Sequence, residues 1–276
     1  MAFLFKEYGS TGYLSLMAGP KKSLGQHWLK DRDILASIAD SAELTKDDTV
    51  LEIGPGLGTL TSELLRRVGK VVAVEFDEEL AAKLPGQFPG KNLEVIRSDI
   101  LSFDLSQLPA DYKVVANVPY YITSKIVQLL MTANNKPSIA VLLVQKEVAH
   151  RLAAKPGDMS ILAVSAQSFA NVELGILVPA KYFTPPPKVD SAVVVMHTRT
   201  APSFKEMSEK EFFRVVKAGF SAPRKKLSSS LSGGLGVSKE AAREVLLRAD
   251  INPELRAEGL SLEDWYRLAI ELGSAS

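Results

Sequence analysis

The stretch Thr49-Val50-Leu51-Glu52-Ile53-Gly54-Pro55-Gly56-Leu57-Gly58 decides the architecture of this 276-residue chain. Its first half is an apolar run of strand length. Its second half is glycine-rich punctuation, and a helical segment at 60–67 follows. Working outward, the alternation repeats. Strand-like runs at 71–75, 93–96, 113–116 and 139–144 interleave with helical segments at 78–84 and 124–131. Strict alternation predicts βαβ crossovers and a mostly parallel sheet covered by helices on both faces. Two more apolar runs, 172–178 and 192–196, predict an antiparallel hairpin at the sheet edge, linked through Thr184-Pro185-Pro186-Pro187.

Beyond about residue 200 the strand signals stop. Ser208-Glu209-Lys210-Glu211 reads as a capping box opening a helix through Phe212, Phe213, Val216 and Phe220. Segments 239–249 and 262–272 are also helical, the latter capped at Ser261. The expected organisation is a poorly ordered leader at 1–20, an α/β domain at 21–200 and a small all-helical domain at 201–276.

Composition narrows the function classes. Apolar residues make up 46% of the chain, enough for a sizeable core. With 33 basic and 32 acidic residues the net charge is +1, so any nucleic-acid surface must come from local clustering. Cysteine is absent, which excludes disulfides, thiolate metal sites and cysteine nucleophiles. Three histidines, His27, His150 and His197, are too scattered to predict a metal centre. No apolar run approaches the roughly 20 residues needed to span a bilayer.

The polar residues that punctuate the strands carry the chemistry. Gly54, Gly56 and Gly58 let the backbone turn tightly and approach a ligand, as a nucleoside cofactor requires. The third glycine arrives one residue too early for the dinucleotide pattern G-x-G-x-x-G, and Pro55 separates the first two, which disfavours a nicotinamide oxidoreductase. No lysine follows in the position a phosphate-binding loop needs. Glu75 ends the second strand, where an acid can accept both hydroxyls of a ribose. Asp99 lies just past the third, able to accept an adenine amine while Ile100 packs on the ring. After the fourth strand, Asn117-Val118-Pro119-Tyr120 offers an amide oxygen for a proton-bearing amine, a stiffening proline and a flat ring for stacking. Glu75, Asp99 and Asn117 end successive strands and so converge on one crevice.

These motifs resemble those of class I S-adenosylmethionine-dependent methyltransferases acting on amino groups, which have a Rossmann-like sheet. Further segments are similar to the KsgA/Dim family of ribosomal RNA adenine dimethyltransferases. Ser23-Leu24-Gly25-Gln26-His27-Trp28-Leu29 resembles its G-Q-N-F-L, with His27 where Asn is usual and Trp28 where Phe is usual. Val144-Gln145-Lys146-Glu147-Val148-Ala149 resembles V-Q-K-E-V-A. Phe183-Thr184-Pro185-Pro186-Pro187-Lys188-Val189-Asp190-Ser191 resembles F-x-P-P-P-K-V-D-S, and Phe220-Ser221-Ala222-Pro223-Arg224-Lys225-Lys226-Leu227 resembles F-x-x-R-R-K-x-L. The likeness runs in order from about Lys21 into the helical tail.

The resemblance implies a cytoplasmic, monomeric enzyme. It would use S-adenosyl-L-methionine to dimethylate N6 of two adjacent adenines near the 3′ end of small-subunit ribosomal RNA, within a pre-30S particle. Gly54 and Gly56 would line the methionine portion of the cofactor, Glu75 would hold the ribose and Asp99 with Ile100 the adenine. His27 and Leu29 would close over the cofactor, and Asn117 would touch cofactor and target together. The Asn117 amide and the Val118 carbonyl would accept the target N–H groups. Tyr120 would stack on the base, with Phe183 on its other face. Lys21, Lys22, Lys188, Arg224, Lys225 and Lys226 would grip phosphates. Two alternatives stand beside this: a DNA adenine N6-methyltransferase, and a non-catalytic ribosome-assembly or transcription factor of the same fold.

Overall fold

The computed structural model describes residues 26–273; the expected leader at 1–20, with Lys21 and Lys22, lies outside them. Nine strands and ten α-helices alternate in the described chain: β1 (Trp28–Leu29), α1 (Arg32–Asp40), β2 (Thr49–Ile53), α2 (Thr59–Arg67), β3 (Lys70–Glu75), α3 (Glu78–Gln87), β4 (Leu93–Arg97), β5 (Lys113–Asn117), α4 (Thr123–Thr132), β6 (Ile139–Gln145), α5 (Lys146–Leu152), α6 (Ile161–Gln167), β7 (Ala170–Val178), β8 (Phe183–Thr184), β9 (Ser191–Thr198), α7 (Glu209–Gly219), α8 (Leu227–Leu235), α9 (Lys239–Arg248) and α10 (Leu262–Gly273).

Seven strands form one sheet in the order β4-β3-β2-β5-β6-β9-β7. β4, β3, β2, β5 and β6 are parallel neighbours, which is why they read as almost unbroken apolar runs: both faces are buried. Successive residues serve opposite faces. Val50, Val71, Val115 and Val141 pack with α1 and α2, while Leu51, Val72, Val114 and Leu142 pack with α4, α5 and α6. The expected hairpin is present, with one refinement. β9 is the reversed strand, antiparallel to both β6 and β7, and it stands one place in from the edge. The chain leaves β2 towards β3 and β4, then returns to place β5 on β2's other side. The strand order therefore reverses between β2 and β5, which opens a crevice at their carboxyl ends.

Helix starts follow from local chemistry. Asp31 accepts the Ile34 amide at the head of α1, and Asp77 accepts those of Glu79 and Leu80 at the head of α3. The capping box at Ser208 and Glu211 is formed at α7. Gly58 opens α2 at φ 78°, a conformation that favours glycine.

The helices after residue 208 join the same buried cluster as the sheet. Phe204 stacks on Phe212 of α7 at 4.8 Å between ring centres and meets Phe169 edge-on at 5.5 Å. α8 crosses α7 at a close backbone approach. A Cβ on Gly234 would stand 2.6 Å from the Ala218 Cα, whereas one on the neighbouring Gly233 would meet nothing within 4 Å. Gly234→Ala is therefore expected to destabilise the protein by roughly 1–3 kcal/mol through overpacking. Gly233→Ala should be neutral or stabilise by up to about 1 kcal/mol through helix propensity. Denaturant melts of the two variants check this; equal behaviour would refute the close approach.

Candidate active site

The carboxyl ends of β2, β3 and β5, with the loop after β4, enclose a cavity of about 330 Å³. Gly54, Gly56, Glu75, Asp99, Ile100, Asn117, Val118, Tyr120, His27 and Leu29 all line it, so the glycine turn and the Tyr120 ring open onto one space. No residue after Lys125 lines it among the described residues, which leaves Lys188, Arg224, Lys225 and Lys226 outside.

The glycine turn is shaped for close approach. Gly54 and Gly56 take φ 65° and 57°, and a Cβ on Gly54 would project into open space. The Gly54 amide ties back to the Val74 carbonyl at 2.9 Å. Glu75 stands behind the turn, 6% exposed. Its carboxylate accepts the Gly56 amide at 3.0 Å through Oε2 and the Asp77 amide at 2.8 Å through Oε1. A carboxylate offers about four lone-pair sites, so roughly two remain for a diol. Burial pushes the Glu75 carboxyl above the usual range, while the two amides favour its ionised form. Asp99 caps the short turn after β4 by accepting the Leu101 amide through Oδ1 at 2.9 Å, which leaves its other oxygen for a ligand.

A short antiparallel pair roofs the cavity. β1 meets β8 with Trp28 opposite Thr184 and Leu29 opposite Phe183. The roof is pinned at three points. Thr59 Oγ1 donates to the Leu29 carbonyl at 2.8 Å, His27 Nδ1 donates to the Pro185 carbonyl at 2.7 Å, and Asn117 Nδ2 donates to the His27 carbonyl at 3.1 Å. A carbonyl only accepts, so this last bond orients the Asn117 amide and leaves its Oδ1 as the free acceptor. The same logic puts a proton on His27 Nδ1. Its Nε2 is then an acceptor in the neutral ring, and donates to a carboxylate only as imidazolium. The His27 ring lies alongside that of Tyr120, 5.8 Å between centres and 17° from parallel. The Tyr120 hydroxyl shares a 2.6 Å hydrogen bond with Ser191 Oγ, which fixes the ring.

Phe183 departs from its expected position. It is 3% exposed, packs in the core with Leu29 and Val193 through its place in β8, and does not line the cavity. A ring so buried offers no free face to a base. Lys188, Arg224 and Lys225 are exposed, whereas Lys226 pairs with Glu254, which Arg243 also holds at 2.7 Å.

Glu52, Trp28 and Phe76 are among the lining residues to which the sequence reading gave no role. Glu52 is 1% exposed; burial, reinforced by repulsion from Glu75, pushes its carboxyl up to about 8, with Thr61 offsetting part of the rise. Among the described residues its Oε2 has no hydrogen-bond partner, nor has the buried Trp28 Nε1, and both residues line the same cavity. An orphaned acceptor and an orphaned N–H donor in one crevice suit a zwitterion: ammonium for the carboxylate, carboxylate for the indole. The amino-acid end of S-adenosylmethionine is such a group, and Glu75 and Asp99 suit its ribose and adenine. Phe76, 61% exposed, adds an apolar side chain to the lining that Ile100 also joins. The available signals were a charge inside an otherwise apolar strand, and an aromatic directly after the strand-ending acid.

The family model described as ribosomal RNA adenine dimethylase matches residues 18–273. The chain is 42% identical over 276 residues to ribosomal RNA small subunit methyltransferase A of Dehalococcoides mccartyi strain 195, covering 95% of each. It is 42% identical to the protein of that name from Pelotomaculum thermopropionicum, covering 91% of this chain and 90% of the other. A dimethyladenosine transferase structure from Plasmodium falciparum superposes with a TM-score of 0.78 at 28% identity, over 90% of this chain and 98% of that one. The 23S rRNA methyltransferase ErmE superposes with 0.73 at 30% identity, over 89% and 99%. Matched over residues 18–273 by the family model and over 95% of its length by a relative 42% identical, the chain belongs to the ribosomal RNA adenine dimethylase family.

Proposed function

We propose that this cavity brings S-adenosyl-L-methionine and an extruded adenine of small-subunit ribosomal RNA together, and that the protein dimethylates N6 of two adjacent adenines near the RNA's 3′ end. The observation that carries the reading is the Asn117 amide, whose nitrogen is committed to the His27 carbonyl and whose oxygen accepts no hydrogen bond among the described residues, in the cavity that the glycine turn also lines. When bound, S-adenosylmethionine supplies an electrophilic methyl group on a sulfonium; methyl transfer from it to ribosomal RNA adenine is the activity of the family.

The protein's part is positioning. When the cofactor is bound, Glu75 would hold the ribose hydroxyls, Asp99 with Ile100 and Phe76 would hold the adenine, and Glu52 and Trp28 would hold the amino-acid end. The lone pair of an adenine amine is delocalised into its ring, which makes it a poor nucleophile. The Asn117 oxygen and the Val118 carbonyl accept its N–H bonds and favour the pyramidal nitrogen, with no covalent intermediate. Tyr120, braced by Ser191, stacks on the base that has left its helix. Each methylation replaces one N–H, so the finished product has no hydrogen left for these acceptors. Exposed Lys188, Arg224 and Lys225 contact phosphates, with Lys226 contributing less while Glu254 neutralises it. The setting is a pre-30S particle in the cytoplasm, met by a monomer. Among the described residues no helix is long and apolar enough to cross a membrane.

Mass spectrometry of small-subunit RNA incubated with the protein and labelled S-adenosylmethionine tests the reading. Two neighbouring dimethyladenines support it; methylation of duplex DNA instead would overturn it. Asn117→Ala is expected to lower kcat by about 100-fold, the scale seen when one preorganised hydrogen-bond group at a reacting centre is lost.

Glu52 gives a pH prediction with a definite sign. Its carboxyl is raised to about 8 in the free protein, and an ammonium requires it ionised, so binding releases a proton. Cofactor affinity should rise from pH 6 to 8, and Glu52→Gln should weaken binding and flatten the slope. Because the folded carboxyl holds its proton where the unfolded one does not, Glu52 costs stability increasingly as pH rises from about 4.5 to about 8. The free Glu52→Gln protein should therefore melt higher than wild type at pH 8. Calorimetric titrations and melts across this range check both halves; a pH-independent wild-type affinity would contradict the first.

A further inference from the structure

We infer that Tyr121 and Lys125 form a second nucleotide position at the cavity mouth. There the Tyr121 ring stacks on the base next to the one held by Tyr120, and the Lys125 ammonium takes a phosphate of the same step. The inference rests on the proposed meeting of cofactor and target adenine in this cavity.

Tyr121 is 65% exposed, the most exposed of the large apolar side chains among the described residues, yet it lines the same cavity as Tyr120. Adjacent residues in the chain, the two rings differ in every physical respect. Tyr120 is half-buried, stacked beside His27 and hydrogen-bonded to Ser191, whereas Tyr121 makes no side-chain hydrogen bond or ring contact among the described residues. Both sit in the tight turn Tyr120–Ile122, where side chains fan out by about 120° per residue, so one ring faces inward and its neighbour faces solvent. Leaving a tyrosine ring in water forgoes the burial it would gain elsewhere. The adjoining strand-end residue, Asn117, and Val118 serve the target, so a ring on the rim beside them lies on the path of the RNA strand.

The substrate's own chemistry asks for such a ring. Pulling one adenine out of its stack uncovers a face of the neighbouring base, and a flat aromatic side chain covers that face without reading sequence. With two adjacent targets, each adenine becomes the neighbour while the other is being methylated. Lys125 lies four residues on from Tyr121, in the first turn of α4; it is exposed, lines the same mouth and has no ion pair among the described residues. A free ammonium beside an exposed ring matches the phosphate-plus-stacking pattern of single-strand binding.

The test measures methylation of small ribosomal subunits lacking the modification by wild type, Tyr121→Ala, Tyr121→Phe and Lys125→Ala. Kinetics, product mass spectra, calorimetric S-adenosylmethionine affinity and thermal melts are read in parallel. Tyr121→Ala is expected to raise the KM for RNA roughly tenfold, the scale of one lost base–aromatic stack. It should enrich products in which only one adenine is dimethylated, with cofactor affinity and melting temperature unchanged. Tyr121→Phe should restore wild-type behaviour, and Lys125→Ala should reduce the salt dependence of RNA binding by about one phosphate contact. An unchanged KM and product ratio in Tyr121→Ala overturns the inference. A loss of cofactor affinity that accounts for the lost activity also overturns it, because it makes Tyr121 a cover for the cofactor. Absence of dimethyladenine with the wild-type protein overturns the proposed function itself, and is distinct from normal wild-type product with an indifferent Tyr121→Ala.

Discussion

A single amide sets the geometry of the whole site. Asn117 ends β5 at the point where the strand order reverses, and its nitrogen is given to the His27 carbonyl. That bond fastens the entering segment of the chain to the central sheet. Through β1 and β8, it also fastens the proline-rich segment at 184–187. An amide can turn over in most environments, since its two ends are nearly the same shape. Here a carbonyl partner removes the choice, and the oxygen is left facing the cavity. Without that bond the orientation of the Asn117 amide would not be fixed, and the roof would have one pin fewer.

The cavity around this amide holds polar groups that the protein alone does not satisfy. Burial raises the proton affinity of both the Glu52 and Glu75 carboxyls, Glu75 raises that of Glu52 further, and the Trp28 N–H has no acceptor among the described residues. In a structural core such a set would be selected against, because an unpaired buried polar group costs about 1–3 kcal/mol. It is tolerated where a ligand completes the pairing, and then the same groups become sources of affinity. Binding of that ligand to the folded state alone also adds stability by mass action. The apolar remainder of the sheet carries the fold while these residues carry the ligand.

Much of this was legible in the sequence because parallel strands buried on both faces announce themselves. Runs such as Val71-Val72-Ala73-Val74 and Ile139-Ala140-Val141-Leu142-Leu143-Val144 leave no other reading, and the polar residue that ends each run marks the sheet's rim. What escaped had weak local signals. β1 and β8 are two residues each, too short for any periodicity, and their pairing spans more than 150 residues of chain. α8, Leu227-Ser228-Ser229-Ser230-Leu231-Ser232-Gly233-Gly234-Leu235, is rich in serine and glycine, which are poor helix formers. It is helical because Leu227 and Leu231 bury against the other helices, and because Gly234 lets it approach α7. Phe183 sits in a motif that the family resemblance places at the site. Its alternation within a two-residue strand then sends the side chain to the core, a fact only the pairing with Leu29 determines. Glu52 was hidden in plain view, as the second residue from the end of an apolar strand.

The reversed strand explains how the target side of the cavity is rigid at all. The five parallel strands β4, β3, β2, β5 and β6 deliver their last residues to the carboxyl rim, and each must then turn away into a helix or loop. β9 runs the other way, so it is its first residue, Ser191, that lies at that rim, paired with Gln145 at the end of β6. From there its hydroxyl reaches the Tyr120 phenol at 2.6 Å and braces a ring that otherwise stands on a short turn. A parallel strand in the same place would begin at the opposite end of the sheet and could offer only a departing loop. The antiparallel insertion therefore supplies the one thing an all-parallel sheet lacks: a strand start, fixed by ladder hydrogen bonds, on the side where the ligands meet. The glycine turn and Glu75 are set by strand ends, whereas the bracing of the Tyr120 ring depends on the register between β6 and β9. A one-residue slip of that register would turn Ser191 to the other face of the sheet and leave Tyr120 without its brace.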